Sequence, residues 1–189
     1  MGKSLKVFLD LDGVLVNFRR GVFEAFNRPC PYETASRIWT FWEEWFPKPT
    51  FDEINSVCTT EFWIGLDFMH DGLDIFDAVS SRFPDKDIYF LTTPMPNKGS
   101  WPGKVEWVRR YFSTFQERLI ITQAPKTLFA KPDTLLIDDK DENIMEFIAA
   151  GGRAILINRP WNKGHFRADK TVGDLENALK NLPTMPQYT

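Results

Sequence analysis

Cysteine and histidine are scarce in this 189-residue chain, at two residues each. Cys30 and Cys58 lack the spacing of a metal site and predict free thiols, the ordinary state in a reducing compartment. His70 and His165 are isolated, without metal-ligand spacing, and no role follows for either. No segment reaches the roughly 18 uninterrupted apolar residues of a membrane helix, and the first strand pattern begins too early for a cleavable leader. Both absences predict a cytoplasmic protein, or one in a host's cytoplasm, without membrane attachment. Charge of one sign is lacking too, since 23 Lys and Arg face 26 Asp and Glu for a net charge of −3. With no Lys/Arg run to track a polyanion, a long nucleic acid is not an expected partner. A G-x-x-x-x-G-K-[ST] loop is absent, as is a G-x-G-x-x-G following a strand, which argues against a P-loop NTPase and a dinucleotide enzyme.

What is present is a 43% hydrophobic composition, enough for one substantial core in a single domain with an insertion. Apolar runs at 5–9, 88–91, 118–121, 134–137 and 154–157 read as strands. Between them lie helical patterns: Leu73, Phe76, Val79 and Phe83; then Trp101, Val105, Val108 and Phe112; then Ile144, Phe147 and Ile148, stopped by Gly151-Gly152; and finally Val172, Leu175, Leu179 and Leu182. Such alternation predicts an α/β fold with a parallel sheet, helices on both faces and right-handed crossovers. Residues 17–70 break the pattern. They hold close to half of all the aromatics, among them Phe18, Tyr32, Trp39, Phe41, Trp42, Trp45, Phe46 and Trp63. That stretch is too long for a βα loop and too apolar for disorder, so a small helical cap inserted after the first strand is expected, with 1–16 and 71–189 as the core. Residues 1–3 and 183–189 read as loosely held ends.

Chemistry-bearing residues collect where strands end. Leu5-Lys6-Val7-Phe8-Leu9 runs into Asp10-Leu11-Asp12-Gly13-Val14-Leu15, Ile88-Tyr89-Phe90-Leu91 into Thr92-Thr93-Pro94, and Thr134-Leu135-Leu136-Ile137 into Asp138-Asp139, while Lys126 stands in Ala124-Pro125-Lys126-Thr127. The carboxyl end of a parallel strand is where α/β folds put their chemistry, and Gly13 lets the chain turn off the strand direction.

In this order, strand-Asp-x-Asp, strand-Thr, Lys and strand-Asp-Asp resemble the four signature motifs of the haloacid dehalogenase (HAD) superfamily. With Phe18 and the run Lys104-Val105-Glu106-Trp107-Val108-Arg109-Arg110-Tyr111-Phe112, the resemblance extends to its 5'(3')-deoxyribonucleotidase family. It spans nearly the whole chain, although residues 19–70 match only in aromatic character. The resemblance implies a Rossmannoid three-layer core, a cap contributing an aromatic pocket for the base, and a phosphatase acting on (deoxy)nucleoside monophosphates. Phe18, directly after the catalytic loop, and Trp39, near the family's aromatic base-binding pair, are the expected base contacts.

The residue types fit that chemistry. A carboxylate is ionised at neutral pH, so Asp10 can attack phosphorus without a general base and form an aspartyl-phosphate that water hydrolyses. Its repulsion from a phosphate dianion calls for a cation, and Mg²⁺ suits an oxygen-only site. Asp10, the Asp12 carbonyl and one of Asp138 and Asp139 supply the expected ligands; the family pattern implies Asp139 as the direct one and Asp138 as the group orienting Lys126. Asp12 is then free to protonate the leaving ribose oxygen and later activate water. Thr92, Thr93 and Lys126 are expected to hold phosphoryl oxygens, and Lys104, on the non-apolar side of its helix, can reach them.

Two departures from the family pattern bear on substrate choice. Asn17 stands where the family often has an aspartate, and the 93–103 loop is rich in proline. Arg159-Pro160-Trp161-Asn162 resembles a segment the family carries after its last strand, and by itself reads as a turn with an exposed arginine and a packed tryptophan. The competing readings are a HAD-type phosphatase for another small phosphate ester and a non-catalytic nucleotide-binding module; intact Asp10 and Asp12 argue against the latter, and a haloalkanoic dehalogenase would not need the metal carboxylates. Homodimer formation stays open.

Overall fold

A computed structural model describes residues 4–31, 39–41 and 50–182. Tyr32, Trp42, Trp45 and Phe46 and both expected loose ends lie outside the described residues. Five strands form one parallel sheet in the order β3-β2-β1-β4-β5: β1 (Lys6–Leu9), β2 (Ile88–Thr92), β3 (Leu119–Ile121), β4 (Thr134–Asp138) and β5 (Arg153–Leu156). β4 is buried at every position, whereas the edge strands β3 and β5 are only half-buried. That is the pattern expected where helices cover both faces of a parallel sheet.

Alternating side chains divide the core. Val7, Leu9, Phe90, Leu135 and Ile137 face the larger cluster with Ile75, Val79, Val108 and Leu175, while Phe8, Leu91 and Leu136 pack on Phe147 across the sheet. These partners belong to α4 (Gly72–Ser80), α5 (Ser100–Tyr111), α7 (Thr171–Lys180) and, on the second face, α6 (Asp141–Ala149). The fold is therefore the three-layer α/β arrangement expected from the alternation.

Between β1 and α4 come α1 (Phe18–Ala25), α2 (Phe51–Val57) and α3 (Thr60–Ile64). Asn17 caps α1 by accepting a hydrogen bond from the Arg20 amide at 3.2 Å, and Thr59 caps α3 through the Phe62 amide. Where this stretch leaves and rejoins the sheet the two chains meet: the Met69 amide donates to the Leu15 carbonyl at 2.7 Å and Val16 bridges Phe68.

Half of the apolar face expected for α5 is buried, Val108 and Phe112, and the other half is not. Trp101 and Val105 are 40% and 43% exposed, and the buried face carries Gly103, Lys104, Trp107 and Val108. Two contacts explain the difference. Gly103 lets α5 approach α3 so closely that a Cβ there would lie 2.4 Å from Trp63 Cβ, and the buried Lys104 ammonium finds ionic and aromatic partners.

Candidate active site

Strand order assembles the site. β1 lies between β2 and β4, with Leu9 in register with Phe90 and Ile137, so the chain leaves the three central strands side by side at Asp10, Thr92 and Asp138. This is the switch point at which open α/β sheets bind ligands. Gly13 follows with φ +76°, and a Cβ at that position would lie 2.2 Å from Asp139 Oδ2. Glycine is thus required both for the left-handed turn and for the close approach of the turn to the second carboxylate pair.

Asp10, Asp138 and Asp139 are all buried, and one carboxylate oxygen from each lies within 4.8 Å of the others. Lys126 joins them, its Nζ 2.9 Å from Asp10 Oδ1 and 2.6 Å from Asp138 Oδ2. Asp138 is saturated, since it also accepts from the Lys140 amide and from Asn143 Nδ2, both at 2.9 Å. Asp139 is not. Trp161 Nε1 donates to its Oδ2 at 2.7 Å, while its buried Oδ1 has no hydrogen-bond partner among the described residues. A buried anionic oxygen left unmet is costly, and a cation satisfies it. The donor set, all oxygen and acidic, fits Mg²⁺.

Electrostatics agree with that need. Burial, reinforced by Asp138 and Asp12 and only partly offset by Lys126, pushes the Asp10 carboxyl up to about 7. Burial and the charges of Asp138 and Asp10 hold Asp139 well above the usual carboxylate range despite the Trp161 hydrogen bond. Lys126 is buried as well, yet Asp10 and Asp138 outweigh its desolvation and keep it protonated.

The Asp12 side chain turns away from this cluster and pairs with Lys104 Nζ, which also donates to Thr92 Oγ1 at 3.1 Å and lies 4.1 Å from the centre of the Trp63 ring. Lys104, expected to reach the phosphoryl oxygens from the non-apolar side of its helix, has its side chain buried against the site. Thr92 is buried and Thr93 exposed at the cleft.

Asp10, Asp12, Lys126 and Asp139 open into a cleft of about 250 Å³ whose other walls are largely apolar, including Phe18, Trp39, Phe41, Trp63, Met95 and Trp161. Phe18 stacks on Trp63 with centroids 5.1 Å apart and planes 9° from parallel. Trp39 lies beneath the Lys140 ammonium at 5.5 Å. The sequence reading did not single out Arg19, which also lines the cleft. Its guanidinium lies 4.7 Å from the Phe41 ring centre and 4.3 Å from that of Trp161. Being one residue beyond Phe18 was its only signal. The expected exposed arginine of the Arg159-Pro160-Trp161-Asn162 turn is corrected as well: Arg159 is fully buried, with both faces of its fork occupied.

A parallel α/β sheet ending in a carboxylate trio, a buried lysine and a strand-end threonine defines a phosphatase of the HAD type. The family model described as "5' nucleotidase, deoxy (Pyrimidine), cytosolic type C protein" matches residues 3–179, and the chain belongs to that family. Among curated proteins it is similar to the human cytosolic-type 5'(3')-deoxyribonucleotidase, 29% identical over 151 residues that cover 75% of this chain and 73% of the relative. Among solved structures, a HAD family hydrolase of Deinococcus radiodurans with bound phosphate and sodium aligns with a TM-score of 0.55 at 13% identity, covering 93% of this chain and 95% of that one. The HAD-hydrolase YfnB of Bacillus subtilis, bound to magnesium, aligns with a TM-score of 0.50 at 18% identity, covering 82% and 88%. These two structures share the fold. The chain is a HAD-type nucleotide phosphatase.

Proposed function

We propose that this chain releases phosphate from (deoxy)nucleoside monophosphates through an aspartyl-phosphate on Asp10, with Mg²⁺ as its cofactor. The observation that carries the reading is the buried Asp10–Asp138–Asp139 trio with Lys126, opening directly into an aromatic-walled cleft. Asp10, the Asp12 carbonyl and Asp139 would hold the metal, and Asp138, already committed to Lys126, would orient that lysine. When bound, Mg²⁺ supplies positive charge that offsets the meeting of carboxylate and phosphate and favours ionised Asp10.

In the first step the Asp10 carboxylate attacks phosphorus and the ester P–O bond breaks, with Asp12 delivering a proton to the leaving nucleoside oxygen. Water then attacks the aspartyl-phosphate, Asp12 takes up its proton, and phosphate departs with Asp10 restored. Lys126, Thr92 and Thr93 hold the phosphoryl oxygens. Lys104 sits between Asp12 and Thr92, where it can exchange its carboxylate partner for an incoming phosphoryl oxygen. The 17–70 segment acts as the cap: its two ends meet where the Asn17 amide donates to the Asp67 carbonyl at 2.9 Å, and it brings Phe18 and Trp39 to the cleft, where a flat base can stack. The cytosolic type of the human relative supports a cytoplasmic location.

Phosphate release from a panel of nucleoside monophosphates and hexose phosphates, with Mg²⁺ or with EDTA, tests the reading. Nucleotides should lead in kcat/KM, EDTA should abolish turnover, and Phe18→Ala or Trp39→Ala should weaken nucleotides selectively, by about 1–3 kcal/mol per stacking ring. Hexose phosphates hydrolysed equally well, and indifferent to both substitutions, would favour a general small-ester phosphatase.

A further inference from the structure

Arg159 lies behind the catalytic loop, outside the cleft. Its guanidinium is entirely shielded from solvent and makes four hydrogen bonds. Nε donates to the Gly13 carbonyl at 2.6 Å and Nη2 to the Val14 carbonyl at 3.1 Å, while Nη1 and Nη2 grip the Asp71 carboxylate at 2.7 and 2.9 Å. Gly13 and Val14 form the turn that begins one residue after Asp12, and Asp71 precedes α4, where the chain has just returned from residues 17–70. A single planar cation therefore holds the turn and the return segment together. Its own backbone is fixed by Asn162, whose Oδ1 accepts from the Arg159 amide at 3.1 Å and whose Nδ2 donates to the carbonyls of Asp139 at 2.7 Å and Ile157 at 2.8 Å. Gly13 in turn abuts Asp139 so tightly that no Cβ fits between them.

We propose that Arg159 is a positioning residue for the reaction: by fixing the Gly13 and Val14 carbonyls it sets where Asp12 stands relative to the ester oxygen it protonates. The bidentate fork is what the task demands, because one rigid plane sets two carbonyls and one carboxylate at once, and lysine offers no such plane. The ion pair with Asp71 is a separate matter. A buried pair contributes little to stability over a well-packed apolar replacement, although removing one partner alone is strongly destabilising. Stability and alignment can therefore be pulled apart by mutation.

The inference rests on Asp12 acting as the proton donor, so Asp12→Asn serves as the reference. Arg159→Lys, Asp71→Asn and the double variant Arg159→Met/Asp71→Leu would be compared on a nucleoside monophosphate and on p-nitrophenyl phosphate, in Mg²⁺, alongside thermal melts. Arg159→Lys should lower kcat on the nucleotide by about 10- to 100-fold with KM little changed, as expected for a misplaced group, and by less on p-nitrophenyl phosphate, whose leaving group needs no proton. Asp71→Asn should lower the melting temperature yet keep kcat. The double variant should recover the melting temperature and not kcat. Equal loss of kcat in Asp71→Asn, or return of kcat with stability in the double variant, would show a merely structural arginine and overturn the proposal. If the double variant does not fold, the Lys and Asn variants decide alone. Should Asp12→Asn itself lose equally on both esters, the proton-donor reading fails first, and the split between kcat and melting temperature still judges Arg159.

Discussion

Asp10 sits where burial opposes its charge and the neighbouring Asp138 and Asp12 add to the opposition, which is why its carboxyl rises to about 7. The sign of the consequence is definite. With a folded pKa above the unfolded value of roughly 3.9, the group's contribution to stability is complete at low pH and is lost as pH rises through about 7 in the metal-free protein. Asp10→Asn should therefore abolish turnover and raise the melting temperature in EDTA at pH 8. Mg²⁺ must displace protons from Asp10 and Asp139, so its apparent affinity should rise with pH through about 7; calorimetry in buffers of different ionisation enthalpy reads the protons released. Trp161→Phe removes the hydrogen bond that aims Asp139 and should weaken Mg²⁺ binding by about 2- to 10-fold, the effect of one hydrogen bond, with the fold intact. Asp10, Asp12, Asp138 and Asp139 could be picked out from the sequence because each follows an apolar run. The packing of Trp161 was legible too, but neither its bond to Asp139 nor the burial of Arg159 was, since their partners lie 22 to 146 positions away.

Between the elements, the contact that matters most to the site is α3 against α5, because α5 carries Lys104. Gly99, just before α5, faces the backbone of Thr59 and Thr60, and a Cβ there would lie 2.4 Å from the Thr60 nitrogen. Backbone cannot step aside as a flexible side chain can. Gly99→Ala should cost about 1–3 kcal/mol of stability, measured by urea unfolding, and should reduce kcat as Lys104 shifts from Asp12. The presence of α5 was readable from its periodicity, and its buried face in part, through Val108 and Phe112. Apolar spacing also selected Trp101 and Val105, whereas the rest of the face in contact is set by a glycine that permits close approach and by a lysine paid for with an ion pair and an aromatic ring. A count of apolar residues treats both as solvent-facing.

At the scale of the whole molecule, the arrangement of the sheet brings together residues far apart in sequence, as Asp10, Thr92 and Asp138 leave three adjacent strands. The strands and their parallel sense followed from the alternation of patterns, and the two-sided core follows from the uninterrupted apolar runs of β1, β2 and β4. The walls of the cleft were legible only as an aromatic excess: Phe18 and Trp39 do line it, but so do Phe41 and Trp63, which sequence spacing cannot separate from rings packed in a core. The central claim, that phosphate passes through Asp10, is tested most directly by rapid acid quench of a single turnover with labelled nucleoside monophosphate, followed by mass analysis of the peptide containing Asp10. The account predicts a transient phosphoryl group on Asp10 that forms before inorganic phosphate appears and is absent in Asp10→Asn. Full turnover by Asp10→Asn, with no labelled protein at any time, would contradict it.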